Sequence, residues 1–356
     1  MQHLTKSVAE TFNETDKKNI SPEWLKDCVE KYYQRGKYQS LTEKNQSFFE
    51  IFEEFLEKHP LSNVRKDGYR VVFRTLKRYQ AVNQAKNSDF TLELDTFTLD
   101  KLQDFCYFFR NEHEIYKQFP EIYGHRTPKP RGQNTLNSTL SKMRTLFLWS
   151  KKNKYTQNNP FENFSIEESV YGTPFYITIE ERNKIYKTDF SAFPDLEKEK
   201  DIFVFQCVIG CRVADLYRFT KDNIIDGAIE YIARKTKDGR PVTVQVPLNS
   251  IAKEILAKYD NPQSNEILPF SKIYEYNKSI KEIFKIAEIT RNVVVLDSVT
   301  REQVIRPINE VASSHIARRC FVGNLYKQVK DPNLVGALSG HREGSKAFVR
   351  YRTKCR

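Results

Sequence analysis

The chain has 356 residues, with 58 Lys and Arg against 46 Asp and Glu, for a formal charge of +12. Hydrophobic residues, at 39%, are enough for packed cores in two or three domains, which excludes a wholly disordered chain. The longest apolar runs, such as Val293-Val294-Val295-Leu296, fall far short of the ~20 residues of a membrane helix, and Met1-Gln2-His3-Leu4 opens no signal peptide; a soluble cytoplasmic protein with no membrane partner is expected.

Six scattered cysteines (Cys28, Cys106, Cys207, Cys211, Cys320, Cys355) include no pair at the spacing of a zinc ribbon or a redox motif. The positive balance favours a polyanionic partner, because lysines and arginines that neutralise phosphates release counterions.

Residues 1–45 are polar and highly charged. Within them Ser21-Pro22-Glu23 predicts an N-cap with proline at the first helical position, opening a short helix through Trp24, Cys28 and Tyr32. From Phe48, apolar residues recur at three-to-four spacing: Phe48, Phe49, Ile51, Phe52, Phe55 and Leu56, then Val71, Val72, Phe73, Leu76 and Tyr79. Thr98-Leu99-Asp100 reads as the cap of a further helix carrying Leu102, Phe105, Phe108 and Phe109. A basic, proline-rich turn, Arg126-Thr127-Pro128-Lys129-Pro130-Arg131-Gly132, precedes a last helix with Leu136, Leu140, Met143, Leu146 and Phe147. These stripes are core positions, and they predict an all-helical domain of about four helices over residues 46–152.

Residues 153–173 are rich in Asn, contain Pro160 and Gly172 and lack helical periodicity, so they read as a linker. A second domain, 174–356, opens with the capping box Thr178-Ile179-Glu180-Glu181. Its clear sheet signal is a pair of segments, 228–233 and 242–246, which alternate with period two around Asp238-Gly239 and read as a hairpin. The expected fold class is mainly α with a small antiparallel β-sheet.

Five short pieces of this second domain carry chemistry jointly, although each is an ordinary surface feature when taken singly. Ile209-Gly210-Cys211-Arg212-Val213-Ala214-Asp215-Leu216 places an arginine just after a glycine turn at a helix start. Lys235 ends the first hairpin strand and is followed by Thr236-Lys237-Asp238-Gly239. Ser314-His315-Ile316-Ala317-Arg318-Arg319 puts His315 and Arg318 on one helical face, where both could reach one anion. In Leu338-Ser339-Gly340-His341, the upstream Asp331-Pro332 supplies an N-cap and first-turn proline, and Gly340 suits the left-handed position that ends a short helix. Tyr351 is the fifth piece.

In this order the pieces resemble the tyrosine recombinase (phage integrase) family. The likeness is strongest over residues 209–216 and 314–351 and extends more loosely over 46–356, where the helical first domain is similar to the family's SAM-like core-binding domain. The resemblance implies that Arg212 and Arg318 are the two catalytic arginines, Lys235 the hairpin lysine, His315 and His341 the two histidine positions and Tyr351 the nucleophile. Asp215 falls where the family carries an acidic residue supporting the first arginine, and Lys237 is the substitute for Lys235 on the same hairpin. His341 and Tyr351 are ten residues apart where the family commonly has nine, and no other tyrosine follows His341. Five residues follow Tyr351, where many members carry a longer segment that docks on a neighbouring protomer. Residues 1–45 are read as the remnant or truncated form of an arm-type DNA-binding domain.

These residue types suit phosphoryl transfer without a metal, ATP or other cofactor. Two guanidinium forks can bind the non-bridging oxygens where negative charge gathers. A free tyrosine titrates near ~10, so it needs nearby cations to favour its phenolate and a base such as His315 to take its proton. The 5′-oxygen leaving group needs a proton, which a lysine can supply. The expected activity is site-specific DNA recombination through a 3′-phosphotyrosyl intermediate. The expected partners are double-stranded recombination sites, a homotetramer on DNA and an accessory DNA-bending or excisionase protein, in a mobile genetic element acting at the nucleoid. The alternatives are a type IB topoisomerase-like or resolvase activity, or a DNA-binding regulator without catalysis; the complete residue set argues against the regulator. No acidic pair or His cluster sits at ligand spacing near these motifs, which disfavours a metal-dependent nuclease.

Overall fold

In a computed structural model of the chain, the described residues are 46–234 and 241–341, with short helical pieces between residues 5 and 29. Of the expected helix from Trp24 to Tyr32, residues 24–26 and 28–29 are described, and they are helical. Lys235, Lys237, the Asp238-Gly239 turn and Tyr351 lie outside the described residues. The chain divides into two units, one of residues up to Val170 with Ser298–Thr300, the other Tyr171–Asp297 with the residues from Arg301 onward.

The first unit contains α1 (Phe48–Lys58), α2 (Asn63–Lys86), α3 (Leu99–Ile115), the single turn α4 (Pro120–Tyr123) and α5 (Gln133–Lys152). Side-chain caps start two of them. The Ser47 hydroxyl accepts from the Glu50 amide while the Glu50 carboxylate accepts from the Ser47 amide, and Thr98 accepts from the Lys101 amide. Phe52, Phe55, Leu76, Tyr79, Phe97, Phe105 and Phe147 are fully buried at the centre. Val71 departs from its expected core position and stands 50% exposed. The buried stripe of α2 runs through Tyr69, Val72, Thr75, Leu76 and Tyr79, and Val71 lies about 100° off it. Much of the expected linker also belongs to this unit. Phe161 is buried in its core, Tyr155, Phe164 and Ile166 pack against it, and the Asn158 amide donates to the carbonyls of Leu94 and Phe97 at 2.7 and 2.9 Å.

The basic turn splits by role. Arg126 and Lys129 are exposed, whereas Arg131 turns inward onto the buried carboxylate of Glu112 and lies 3.7 Å over the Phe109 ring. Arg78 reaches the same carboxylate from α2 at 2.5 Å, so Glu112 is shared by two guanidiniums.

The second unit runs α6 (Ile179–Lys187), α7 (Pro194–Ile209), α8 (Val213–Leu216), β1 (Ile224–Ile225), β2 (Ala228–Ile232), β3 (Thr243–Pro247), α9 (Ser250–Lys258) and α10 (Ile273–Ile286). It continues with β4 (Asn292–Leu296), β5 (Gln303–Pro307), α11 (Ile308–Val311), α12 (Ser314–Val329) and α13 (Pro332–Ser339). Thr178 and Glu181 form the expected capping box on α6. At the centre is α7, where residues 199–209 are buried without interruption. Helices α6, α9, α10 and α12 surround it, as a helix lacking a polar face requires. The expected hairpin is β2–β3, antiparallel, with Tyr231 opposite Val244 and Ile232 opposite Thr243. Two features were not anticipated from the sequence: β1 extends this sheet to three strands in the order β1-β2-β3, and β4–β5 form a separate antiparallel pair. The unit is thus mainly α with small antiparallel sheets. Among the described residues, no helix is long and apolar enough to cross a membrane.

Candidate active site

The site is built where three ends meet: the C-terminus of α7, the first turns of α12 and the C-terminus of α13. Helix α7 stops at Gly210, whose φ of +72° is in the left-handed region. A Cβ there would lie 2.3 Å from Cδ1 of Phe321 on α12, so glycine lets the two helices approach. A buried relay props the loop that follows: the Tyr276 hydroxyl donates to Gln206 at 2.8 Å, and the Gln206 amide donates to the Cys211 carbonyl at 3.1 Å. Arg212 then caps α8 and Asp215 occupies its first turn.

Arg212 lies partly buried, with Nη1 3.9 Å from Oδ2 of the buried Asp215. The other Asp215 oxygen accepts from the Arg234 amide at 2.9 Å, which ties the arginine loop to the end of the β2 strand.

Arg318 is 2% exposed, an unusual burial for a guanidinium. Its Nη1 donates to the Gly210 carbonyl at 2.8 Å, and its Nη2 faces the His341 ring, 3.2 Å from Nδ1 and 3.3 Å from Nε2. His315, one turn earlier on α12, is exposed. The N-terminus of α12 is held by α10, where the Asn277 side chain accepts from the Ser314 amide at 2.9 Å.

His341 follows Gly340, the left-handed cap of α13, and its amide donates to the Gly336 carbonyl at 3.0 Å. The Ser339 hydroxyl lies 2.7 Å from its Nδ1. A Cβ on Gly340 would lie 2.8 Å from Cγ2 of Val244 and 3.7 Å from Ala233, so the loop carrying His341 rests on the turn end of the β2–β3 strand pair.

Of the expected site residues, Arg318 and His341 are in direct contact, and Arg212 stands beside Asp215 on the loop that Gly210 begins. Lys235 and Tyr351 lie outside the described residues. Sequence reasoning missed Ser339, Gln206, Tyr276 and Asn277, each of which acts through another residue; only Ser339, two places before His341, carried a local signal. Cys211 is fully buried and burial pushes its thiol well up, with Arg318 pulling the other way, which disfavours the thiolate. Among the described residues, no group of three or more His, Cys, Asp or Glu could hold a metal ion.

Residues 47–166 match the phage integrase SAM-like domain. No curated protein sequence matches the chain significantly. Among solved structures, a lambda integrase dimer bound to a COC′ core site is similar at a TM-score of 0.57 and 14% identity, over 86% of this chain and 95% of that one. The Tn1549 transposon integrase in complex with transposon right end DNA gives 0.58 and 12%, over 86% and 94%. The XerH site-specific recombinase bound to a palindromic difH substrate gives 0.55 and 14%, over 99% and 92%.

Proposed function

We propose that this chain, which joins a phage integrase SAM-like domain to the fold of the tyrosine recombinases, is a site-specific DNA strand transferase working through a 3′-phosphotyrosyl intermediate. The observation that carries this reading is the buried Arg318, fixed between His341 and the carbonyl of Gly210, which begins the loop that presents Arg212. A guanidinium is costly to bury, and one held this firmly suits a fixed anion partner.

In the proposed reaction, Arg212 and Arg318 bind the non-bridging oxygens of the scissile phosphate. The Tyr351 oxygen attacks phosphorus and loses its proton to His315. The bond from phosphorus to the 5′-oxygen breaks, and Lys235 protonates that oxygen. His341, kept in place by Ser339 and Arg318, holds a phosphate oxygen. Reversal with a second strand's 5′-hydroxyl restores Tyr351 and joins the new strand, so neither ATP nor metal is consumed.

The partners proposed are duplex recombination sites and further copies of this chain. One solved relative is a lambda integrase tetramer bound to a Holliday junction, and a tetramer on DNA is the assembly proposed here, aided by an accessory DNA-bending or excisionase protein at the nucleoid.

The test is a nicked suicide substrate carrying the cognate site. The wild-type chain is expected to accumulate a covalent protein–DNA adduct, and Tyr351→Phe to bind the duplex without forming one. An adduct of normal abundance with Tyr351→Phe removes Tyr351 from the mechanism.

A further inference from the structure

Behind the arginine loop the second unit buries three polar atoms that have no hydrogen-bond partner among the described residues: Nη1 of Arg212, Oδ2 of Asp215 and the hydroxyl of Tyr231. Asp215 and Tyr231 are 5% and 7% exposed. A buried oxygen or hydroxyl left unmet is costly, more so when charged, so three in one neighbourhood point to a site arranged for another state of the molecule.

Tyr231 belongs to this group by position. It sits on β2, three residues before the Arg234 amide that binds the other oxygen of Asp215. Its ring is pinned by an edge contact with Phe219, centroids 4.9 Å apart, and by its cross-strand partner Val244, the residue on which Gly340 rests. Cys211, Arg318, Asp215 and Arg212 lie within electrostatic reach of its hydroxyl.

We propose, on the reading of the site given above, that Tyr231 is a positioning residue of the active site, its hydroxyl donating to the second oxygen of Asp215 when Arg212 engages the phosphate. Arg212 Nη1 stands 3.9 Å from that oxygen, too far for a hydrogen bond and close enough for an ion pair. A phosphate drawing the guanidinium forward takes its charge from Asp215, and a buried carboxylate oxygen must then find another donor. The Arg234 amide is already committed to the first oxygen. Tyr231 brings a buried hydroxyl donor that has no other partner among the described residues. Its hydroxyl would let Asp215 keep the arginine loop in place without competing with the substrate for Arg212.

The experiment is a double-mutant cycle of Tyr231→Phe and Asp215→Asn in the full chain, read by single-turnover cleavage of the suicide substrate, duplex affinity and urea midpoint. Tyr231→Phe deletes one hydroxyl and is expected to slow cleavage roughly tenfold, the scale of one hydrogen bond to a charged group, at unchanged affinity and midpoint. Added to Asp215→Asn, it should cost no more than Asp215→Asn alone, because the two groups act as one unit. Cleavage by Tyr231→Phe at the wild-type rate, or losses that multiply, overturns the proposal. A midpoint that falls together with the rate assigns the hydroxyl to the fold and also overturns it. Failure of the wild-type chain itself to form an adduct is a different result: it removes the strand-transferase reading and this proposal with it.

Discussion

Nη2 of Arg318 lies 3.2 Å from Nδ1 and 3.3 Å from Nε2 of His341, so one guanidinium nitrogen faces a ring delivered by a different helix end. Arginine can only donate, so any hydrogen bond between the two runs from the guanidinium to the ring. With Nη1 on the Gly210 carbonyl, the fork is fixed at both tips, and its orientation is set before any phosphate arrives.

Arg318→Lys keeps the charge and loses the fork. A lysine cannot hold the Gly210 carbonyl, face His341 and meet a phosphate together, so the variant should cleave about 10²-fold slower or worse, with duplex affinity little changed. Single-turnover rates beside equilibrium binding provide the check; a rate near wild type would mean that charge alone suffices.

Gly210→Ala attacks the same geometry from the backbone. It places a Cβ at φ +72° and 2.3 Å from the Phe321 ring. We expect a loss of about 1–3 kcal/mol in urea unfolding, together with slower cleavage because the displaced carbonyl no longer aligns Arg318. A variant as stable as the parent would contradict the close approach of α7 and α12.

Lys235→Ala should cleave slowly on ordinary DNA and be rescued by a 5′-bridging phosphorothioate, whose leaving group needs no proton. Equal defects on both substrates would count against the acid role and direct attention to Lys237.

Glu199 supplies a pH test of stability away from the site. Its carboxyl is buried in α7, one oxygen has no hydrogen-bond partner among the described residues, and burial raises it above the ordinary 4.5. Below that value both folded and unfolded chains hold the proton. As pH rises, the unfolded chain releases its proton first, so the wild type loses stability until the folded group also ionises. Glu199→Gln should therefore raise the urea midpoint at pH 8 and leave it nearly unchanged at pH 4; equal effects at both values would show that the carboxyl's ionisation is not the cause.

Duplex binding should depend steeply on salt, with a slope of log K on log salt of about −0.9 per phosphate neutralised. Arg126→Ala and Lys129→Ala, exposed on the basic turn, should each flatten that slope by about one phosphate. Arg131→Ala should act differently, through stability, because its guanidinium is spent on Glu112 and the Phe109 face. Flattening by Arg131→Ala with no stability loss would reverse this division of labour.

Local signals in the chain were enough to specify much of the molecule. The caps at Thr98 and Thr178, the apolar stripes of α1, α3 and α5 and the β2–β3 alternation all act over a few residues, so they could be read before any fold was known. The same holds for the order of Arg212, His315, Arg318 and His341 along the chain. Tertiary packing decided the rest. Helix α7 is buried on every side and so has no periodicity to show which face meets α12, yet that contact brings Arg318 to a carbonyl 108 positions earlier. The β4–β5 pair alternates too weakly to announce itself, with burial patterns of exposed and half-buried residues around Val293. Phe161 lies in an Asn-rich stretch without a repeat, and only the cavity that the first unit's helices leave for it makes it core. The orphaned atoms of Arg212, Asp215 and Tyr231 are likewise invisible in one dimension, because whether a polar group is satisfied depends on what distant segments bring within about 3 Å of it.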